Sequence, residues 1–401
     1  MTIVSQTTQR LVWQDSRAVA LLMAATLTVM ANATISPALP GLQRLFQGEP
    51  NAALLTPLLV TAPSLSIALL APFVGLVVDR IGRRIILLSG IVLFVIAGSA
   101  GLYLPDLQSI FVSRVVLGVA VALIMTAQTT LIGDYFTGEA RSALTGLQIS
   151  ARNFGGLVFI LVAGFAAAIS PRSAFAVYGL ALLVLPVAWM AIVEPRAKSA
   201  GRAGITSIFT EQRGWRFPFL GLIALQSITN MLFFIIPTQL PFFLEGKGHG
   251  TAGMTGLTLS VLMLTGGSVA LAYVSLQRAI GYRGLYAAGY AALASGFAVL
   301  AISANALQIF VGAVLVGAGY AAVSPTFVAL TLALAPQHRR GIAGGALTAS
   351  VFIGQFISPL LSTPVIKIAG YDGLFLDTAG LLATMAGIAA VSLLLGLRGS
   401  P

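Results

Sequence analysis

Two arginines stand in stretches that otherwise carry no charge, and both are candidates for binding or coupling chemistry. Arg114 lies about 10 Å inside a predicted helix, and Arg152 about 15 Å inside the next one, at the helical rise per residue. A guanidinium that deep in apolar surroundings pairs internally or meets an anionic group. For Arg152, substrate binding and a structural role both stay open. For Arg114, depth also allows the side chain to snorkel outward.

Uncharged polar side chains within predicted helices extend the set of candidate substrate contacts. The candidates are Asn32, Gln226, Asn230, Tyr320 and Gln355. Each of them alone is more often a hydrogen bond between neighbouring helices. Phe233 and Phe234 are expected to form either an aromatic wall of the same site or a lipid-facing surface.

Residues for other kinds of chemistry are missing or misplaced. The chain has no cysteine, which excludes disulfides and thiolate chemistry. His249 and His338 fall in separate predicted loops, so no metal site is expected. The segment GHGTAG (248–253) matches a dinucleotide-binding pattern but lacks the preceding strand that such a site needs. We therefore expect neither an enzyme nor a bound cofactor.

The composition sets the environment of these residues. Of 401 residues, 58% are hydrophobic and 8% are charged, whereas about 25% are charged in an ordinary globular protein. Such a chain has too few polar residues to cover a water-facing surface, and its partner is the lipid bilayer. The apolar runs are continuous, which is not the alternating pattern of a membrane β-barrel.

The charge-free runs are long enough to cross a membrane as helices. They cover 18–43, 50–78, 85–105, 115–133, 153–171, 173–193, 217–244, 250–277, 284–337, 341–366 and 378–397. The run 284–337 is too long for one span, and Ser303–Ala306 is its natural turn. The sequence thus predicts an all-α membrane protein with twelve transmembrane helices.

The positive charges predict the orientation. The net charge is +11, and most Lys and Arg residues fall in loops on one side of the predicted membrane. By the positive-inside rule, both termini are cytoplasmic and the protein lies in a cell (inner) membrane. The same placement explains the basic charge without nucleic acid.

The chain repeats itself at an offset near 199 residues. The segment SIFVSRVVLGVA (109–120) corresponds to QIFVGAVLVGAG (308–319), and other matches follow in the same order. We therefore predict an N-terminal six-helix half (1–195), a charged cytoplasmic linker (196–216) and a C-terminal six-helix half (217–401). Transporters with two such halves bind their substrate between them, near the membrane midplane.

The segment GLVVDRIGRR (75–84) resembles the signature loop of the major facilitator superfamily. Gly75 is expected to let a neighbouring helix approach closely. The resemblance implies that Asp79 docks on the N-terminus of span eleven in an outward-open state. It also implies that Arg83, which follows Gly82 of the motif, meets Asp134. These residues form the predicted gate.

Arg114, Gly118 and Ala122 in span four resemble a second motif of this superfamily that is common in drug:proton antiporters. The resemblance implies that Arg114 serves proton coupling or organises its half. The Gly-Pro of these antiporters in span five is replaced here by Phe159-Ile160. The resemblance implies a monomer that exports a small amphipathic drug or metabolite by alternating access, coupled to protons. The alternative is transport of an organic or lipid-like anion through Arg152, in either direction. A more remote alternative is a membrane sensor that transports nothing.

Overall fold

The computed structural model describes residues 14–195, 215–336 and 339–398. This part of the chain consists of helices and their connections and contains no strand. Within it, ten helical stretches are long and apolar enough to cross a membrane. The first seven are α1 (Ser16–Leu45), α2 (Ala52–Ile81), α3 (Arg83–Ser99), α4 (Leu107–Tyr135), α5 (Gly138–Ile169), α6 (Pro171–Ala191) and α7 (Arg216–Gly246).

The remaining three stretches supply five helices, because two of them turn at a glycine. They are 50 and 54 residues long, and they turn at Gly281 (φ 66°) and Gly370 (φ 71°). Glycine adopts a positive φ without steric cost. The five helices are α8 (252–280), α9 (282–301), α10 (Ala306–Leu334), α11 (340–369) and α12 (371–398). The described residues thus contain twelve helices, and α12 begins earlier than predicted because residues 371–377 are helical.

The molecule has two pseudo-symmetric halves, each with its own apolar core. One large cluster of buried side chains comes almost wholly from α1–α6, and the other from α7–α12. Residues 196–214 of the predicted linker lie outside the described residues. The predicted domain boundaries therefore remain predictions.

Glycines allow the same close approach in both halves. A Cβ built on Gly118 of α4 would lie 2.3 Å from the carbonyl oxygen of Pro63 in α2. A Cβ built on Gly317 of α10 would lie 2.4 Å from the carbonyl oxygen of Leu262 in α8. Both pairs stand at the repeat offset from each other. Small residues that let helix backbones touch are the usual basis of packing in membranes.

The helix starts repeat as well. Asp106 caps α4 by accepting a hydrogen bond from the Ser109 N–H at 2.7 Å, and this bond lowers the pKa of the carboxyl group. Asn305 caps α10 by accepting one from the Gln308 N–H at 3.0 Å. A side-chain oxygen at the first position satisfies an N–H that has no partner inside the helix. The turn predicted at Ser303–Ala306 is thereby confirmed.

The halves meet at one end of the molecule, which we call the Arg44 end. There Arg44 of the first half forms an ion pair with Glu245 of the second. Near the same end α5 and α8 touch through their backbones, since a Cβ built on Gly164 would lie 2.9 Å from the Gly256 Cα. The halves are therefore closed against each other at this end.

The opposite end, which we call the Arg83 end, is open. Apart from the nearby backbone of its own helix, a Cβ built on Gly75, Gly146 or Gly344 would find no atom within 4 Å. The expectation that Gly75 admits a closely packed neighbour is therefore wrong for this conformation. The reason is that the helices of the two halves have separated where Gly75 lies. The structure represents a state that is accessible from the Arg83 end.

Candidate functional site

A cavity of about 400 Å³ lies between the two halves. Its walls come from α1, α4 and α5 of the first half and from α7, α8, α10 and α11 of the second. Val328 on its wall is 51% exposed, which places the opening toward the Arg83 end. Most of the candidate substrate contacts line this cavity, namely Asn32, Arg152, Gln226, Tyr320 and Gln355.

Arg152 is the only formally charged side chain among the described residues of the cavity wall. It lies on α5, and no hydrogen bond or ion pair joins its guanidinium to another described residue. Its Nε is buried and without a partner. A buried charge is costly unless it is paired. The geometry therefore leaves Arg152 ready to receive an anionic group.

Gln355 joins the two halves through a polar cluster in the cavity wall. Its Oε1 accepts hydrogen bonds from Asn32 Nδ2 at 3.1 Å and from Ser64 Oγ at 2.7 Å. Gln355 belongs to α11, whereas Asn32 and Ser64 belong to α1 and α2. All three side chains are buried. The cluster therefore joins the two halves at the cavity.

An aromatic wall forms where α7 and α10 meet. Phe233 and Tyr320 stack with ring centroids 3.8 Å apart, and Phe234 packs edge-on against Phe233. All three side chains line the cavity. Of the two alternatives for Phe233 and Phe234, the structure agrees with the aromatic wall.

Asn230 does not line the cavity, so its assignment as a direct substrate contact is wrong for this conformation. It lies behind Tyr320, whose hydroxyl donates to Asn230 Oδ1 at 2.8 Å. Its Nδ2 donates to the backbone oxygen of Gln226 at 2.9 Å. Asn230 therefore positions Tyr320 and takes up its hydrogen bond.

Arg114 is fully buried and points into the first half, so the expectation that it snorkels outward is wrong. Its Nη2 donates to the Ala31 oxygen at 2.7 Å and to the Tyr178 hydroxyl, and its Nε donates to the Leu59 oxygen at 3.3 Å. The guanidinium also lies 4.6 Å from the centre of the Tyr178 ring. Arg114 thus connects α1, α2 and α6 to α4.

The sequence explains why carbonyl groups are free at this position. Leu59 would bond the N–H of residue 63 in a regular helix, but Pro63 has no N–H. Ala31 lies in the last turn of the helix Ser16–Ala33, where carbonyl groups lack helical partners. Arg114 supplies the missing donors. Its geometry supports an organising role, and the coupling role remains a prediction.

The predicted gate is partly visible at the Arg83 end. Arg83 Nε lies 3.2 Å from Asp134 Oδ2, so these two predicted residues are brought together. The side chain of Asp79 lies outside the described part of the structure. Gly82 has φ 105°, a conformation that favours glycine, and it separates α2 from α3. It stands at the repeat offset from Gly281.

Glu194 is a residue of this region that the sequence analysis missed. Its carboxylate accepts hydrogen bonds from the backbone N–H groups of Arg83 and Arg84, each at 2.8 Å. It thus caps the N-terminus of α3, where a negative charge is favoured by the helix dipole. The sequence feature that could have indicated this cap is a carboxylate at the end of span six, on the same side of the membrane as the Gly82 turn.

Comparison with known families agrees with this architecture. A model of the Major Facilitator Superfamily matches residues 21–281. The chain belongs to this family.

Two bacterial proteins are similar to part of this chain. Quinolone resistance protein NorA of Staphylococcus aureus is 27% identical over 140 residues, which cover 35% of this chain and 36% of the relative. Multidrug transporter protein MdtP of Bacillus subtilis is 28% identical over 114 residues, or 28% of this chain and 19% of the relative. The matched part is thus about a third or less of either relative.

Solved structures show the same fold over nearly the whole chain. A D-xylose-proton symporter superposes with a TM-score of 0.77 at 18% identity, covering 94% of this chain and 96% of that one. The human organic anion transporter MFSD10 superposes with a TM-score of 0.67 at 16% identity, covering 93% and 99%. At these identities the likeness shows the fold alone.

Proposed function

We propose that the protein is a secondary transporter that works by alternating access and carries a small amphipathic molecule with an anionic group. The observation that carries this proposal is the cavity between the halves. Most of its wall is apolar or aromatic, and Arg152 supplies the one formal charge of the described lining. A volume of about 400 Å³ suits one drug-sized molecule.

Alternating access follows from the difference between the two ends. The Arg44–Glu245 ion pair and the contact between Gly164 and Gly256 close one end, while the Arg83 end is open. By the positive-inside rule the Arg83 end faces the cytoplasm. The opposite state requires the halves to rock, which separates Gln355 from Asn32 and Ser64 and exposes the cavity to the other side.

We propose export in exchange for protons as the direction and the driving force. The names of the partial relatives, a quinolone resistance protein and a multidrug transporter, support export. The described cavity lining contains no Asp, Glu or His. We therefore assign no proton carrier in the cavity, and Arg114 stays the candidate for coupling. In this proposal the protein acts as a monomer in the cell membrane with both termini in the cytoplasm.

Flux into proteoliposomes under an imposed pH gradient tests this function. We expect gradient-driven movement of an amphipathic aromatic anion and little movement of a lipophilic cation. Arg152→Gln should abolish anion flux. Arg141→Gln should not, because it removes a positive charge from an exposed position of the same helix, outside the cavity lining.

Two results would contradict the proposal. Flux of the cation alone would mean that Arg152 does not select the substrate. Absence of flux above protein-free vesicles for every probe and gradient would contradict transport itself and favour a membrane sensor.

A further inference from the structure

The cavity wall contains three buried polar atoms with no hydrogen-bond partner in the described structure. They are Arg152 Nε, Asn32 Oδ1 and Gln226 Oε1. The first is a donor, and the other two are acceptors. Buried polar atoms are nearly always paired, so each such exception calls for a partner. Arg152 calls for an anion, whereas the two amide oxygens call for a donor.

Gln226 is the better placed of the two acceptors. Asn32 already donates through its amide to Ser64 and Gln355, so its side chain is held in the cluster that joins the halves. Gln226 is 2% exposed, and no hydrogen bond holds its side chain within the described residues. Only its backbone oxygen is engaged, by Asn230. The Gln226 amide is therefore free to meet a ligand.

The neighbours of Gln226 indicate what kind of ligand reaches it. Gln226, Asn230 and Phe233 are spaced by four and three residues along α7 and share one helix face. Gln226, Phe233 and Tyr320 all line the cavity, so an aromatic ligand packed on the Phe233–Tyr320 stack shares the cavity with the Gln226 amide. The Tyr320 hydroxyl already has a partner, because it donates to Asn230, whereas the Gln226 amide oxygen has none in the described structure.

We propose that the cavity selects aromatic acids that carry a separate N–H or O–H donor, and that Gln226 accepts the hydrogen bond from this donor. The proposal rests on the proposed function, because it takes Arg152 as the partner of the acid group. The ring lies against Phe233 and Tyr320, between the two polar contacts.

The selectivity follows from the unpaired acceptor. The Gln226 amide oxygen is buried and has no hydrogen-bond partner in the described structure. A ligand with a donor supplies that hydrogen bond, whereas one without a donor leaves the buried acceptor unpaired. Sites built around such a hydrogen bond reject analogues that lack it. We expect a preference of about tenfold or more, which corresponds to about 1.4 kcal/mol.

Equilibrium binding to the purified full-length protein tests the assignment. The probes are a hydroxynaphthoate, the methoxynaphthoate of the same substitution pattern, and naphthol. The first two are acids of similar shape, and only the hydroxy acid offers a donor. We expect the hydroxy acid to bind about tenfold more tightly than the methoxy acid. Naphthol, which lacks the acid group, should bind more weakly than either.

Variants assign the effect to its residue. Gln226→Leu should weaken the hydroxy acid to the level of the methoxy acid and leave the methoxy acid unchanged. Gln226→Met serves the same purpose if the leucine variant does not fold. Gln239→Leu is the matched control, because Gln239 is a buried glutamine of the same helix that bonds Ser362 outside the cavity lining. It should keep the preference.

The outcomes separate this inference from the proposed function. Equal binding of the two acids, both lost in Arg152→Gln, would overturn the role of Gln226 and leave the anion site standing. A preference for the hydroxy acid that survives in Gln226→Leu would also overturn the role of Gln226 and leave the anion site standing. Naphthol binding as tightly as the hydroxy acid would contradict the anion site. Failure of every probe to bind would overturn the substrate class itself.

Discussion

Arg114 and Arg152 both lie within helices of the first half, and their surroundings are opposite. Arg114 donates hydrogen bonds to Ala31, Leu59 and Tyr178 and lies away from the cavity. Arg152 faces the cavity and has no bonding partner among the described residues. The same guanidinium is therefore a structural connector where carbonyl groups are free, and a candidate ligand-binding group where the wall is apolar. Depth in the membrane alone does not distinguish these two roles.

The second half shows why Arg114 is where it is. At the repeat offset, Pro63 corresponds to Leu262 and Arg114 corresponds to Ala313. Where the proline is absent the arginine is absent too, although the glycine contact between the two helices is kept in both halves. The pairing of a proline with a distant donor is the physical reason for the charge.

The largest effect is expected from Arg114→Met. This change leaves the Leu59 carbonyl group without a donor and leaves the Ala31 carbonyl group with only the Tyr178 hydroxyl. Hydrogen bonds from a charged group contribute about 1.5–3 kcal/mol each, so we expect a loss of roughly 3 kcal/mol or more in the free energy of unfolding. Thermal unfolding of the purified protein measures it. A variant as stable as the parent, with proton-driven flux selectively lost, would show that Arg114 acts in coupling.

A smaller effect is expected from Tyr178→Phe. The Tyr178 hydroxyl accepts from Arg114 and donates to the Ala31 oxygen at 3.2 Å. Its removal should lower stability by about 1–2 kcal/mol. Tyr103→Phe is the control, because Tyr103 is 68% exposed and should change nothing. Equal melting of the two variants would contradict the importance of the hydroxyl.

A partial rescue is expected from Pro63→Ala in the Arg114→Met background. Alanine restores the N–H that can bond the Leu59 carbonyl within α2. The second change should recover about 1 kcal/mol of the stability lost with the arginine. In the parent protein the same substitution should recover nothing. The double-mutant cycle gives the coupling directly, and simple additivity would refute it.

The smallest change in stability is expected from Arg152→Met. Removing an unpaired buried charge costs no protein contact, so the melting temperature should be unchanged or higher. Binding of aromatic acids should nevertheless be lost. A marked loss of stability would show that Arg152 has a structural partner after all, and the contrast with Arg114 would disappear.

The sequence predicted the helices well because membrane spans are long apolar runs, and loops between them carry charge. It also singled out Arg152, since a charge inside such a run stands out. It did not place Asn230 behind Tyr320, because rotation of a helix about its axis is set by packing with its neighbours. It also did not predict the cap that Glu194 forms on α3 or the contacts of Tyr178, because these join residues far apart in the chain. A pattern along one helix does not contain that information.

The contact between Gly164 and Gly256 has a consequence for how such a protein diversifies. At Gly164 and Gly256 the backbones of α5 and α8 touch directly, so exchanging side chains in the cavity does not alter this contact. Mutations at Gln226 or Phe233 can change what is carried while the moving parts stay the same. Single substitutions in the cavity can thus change the substrate, provided that these two glycines are kept.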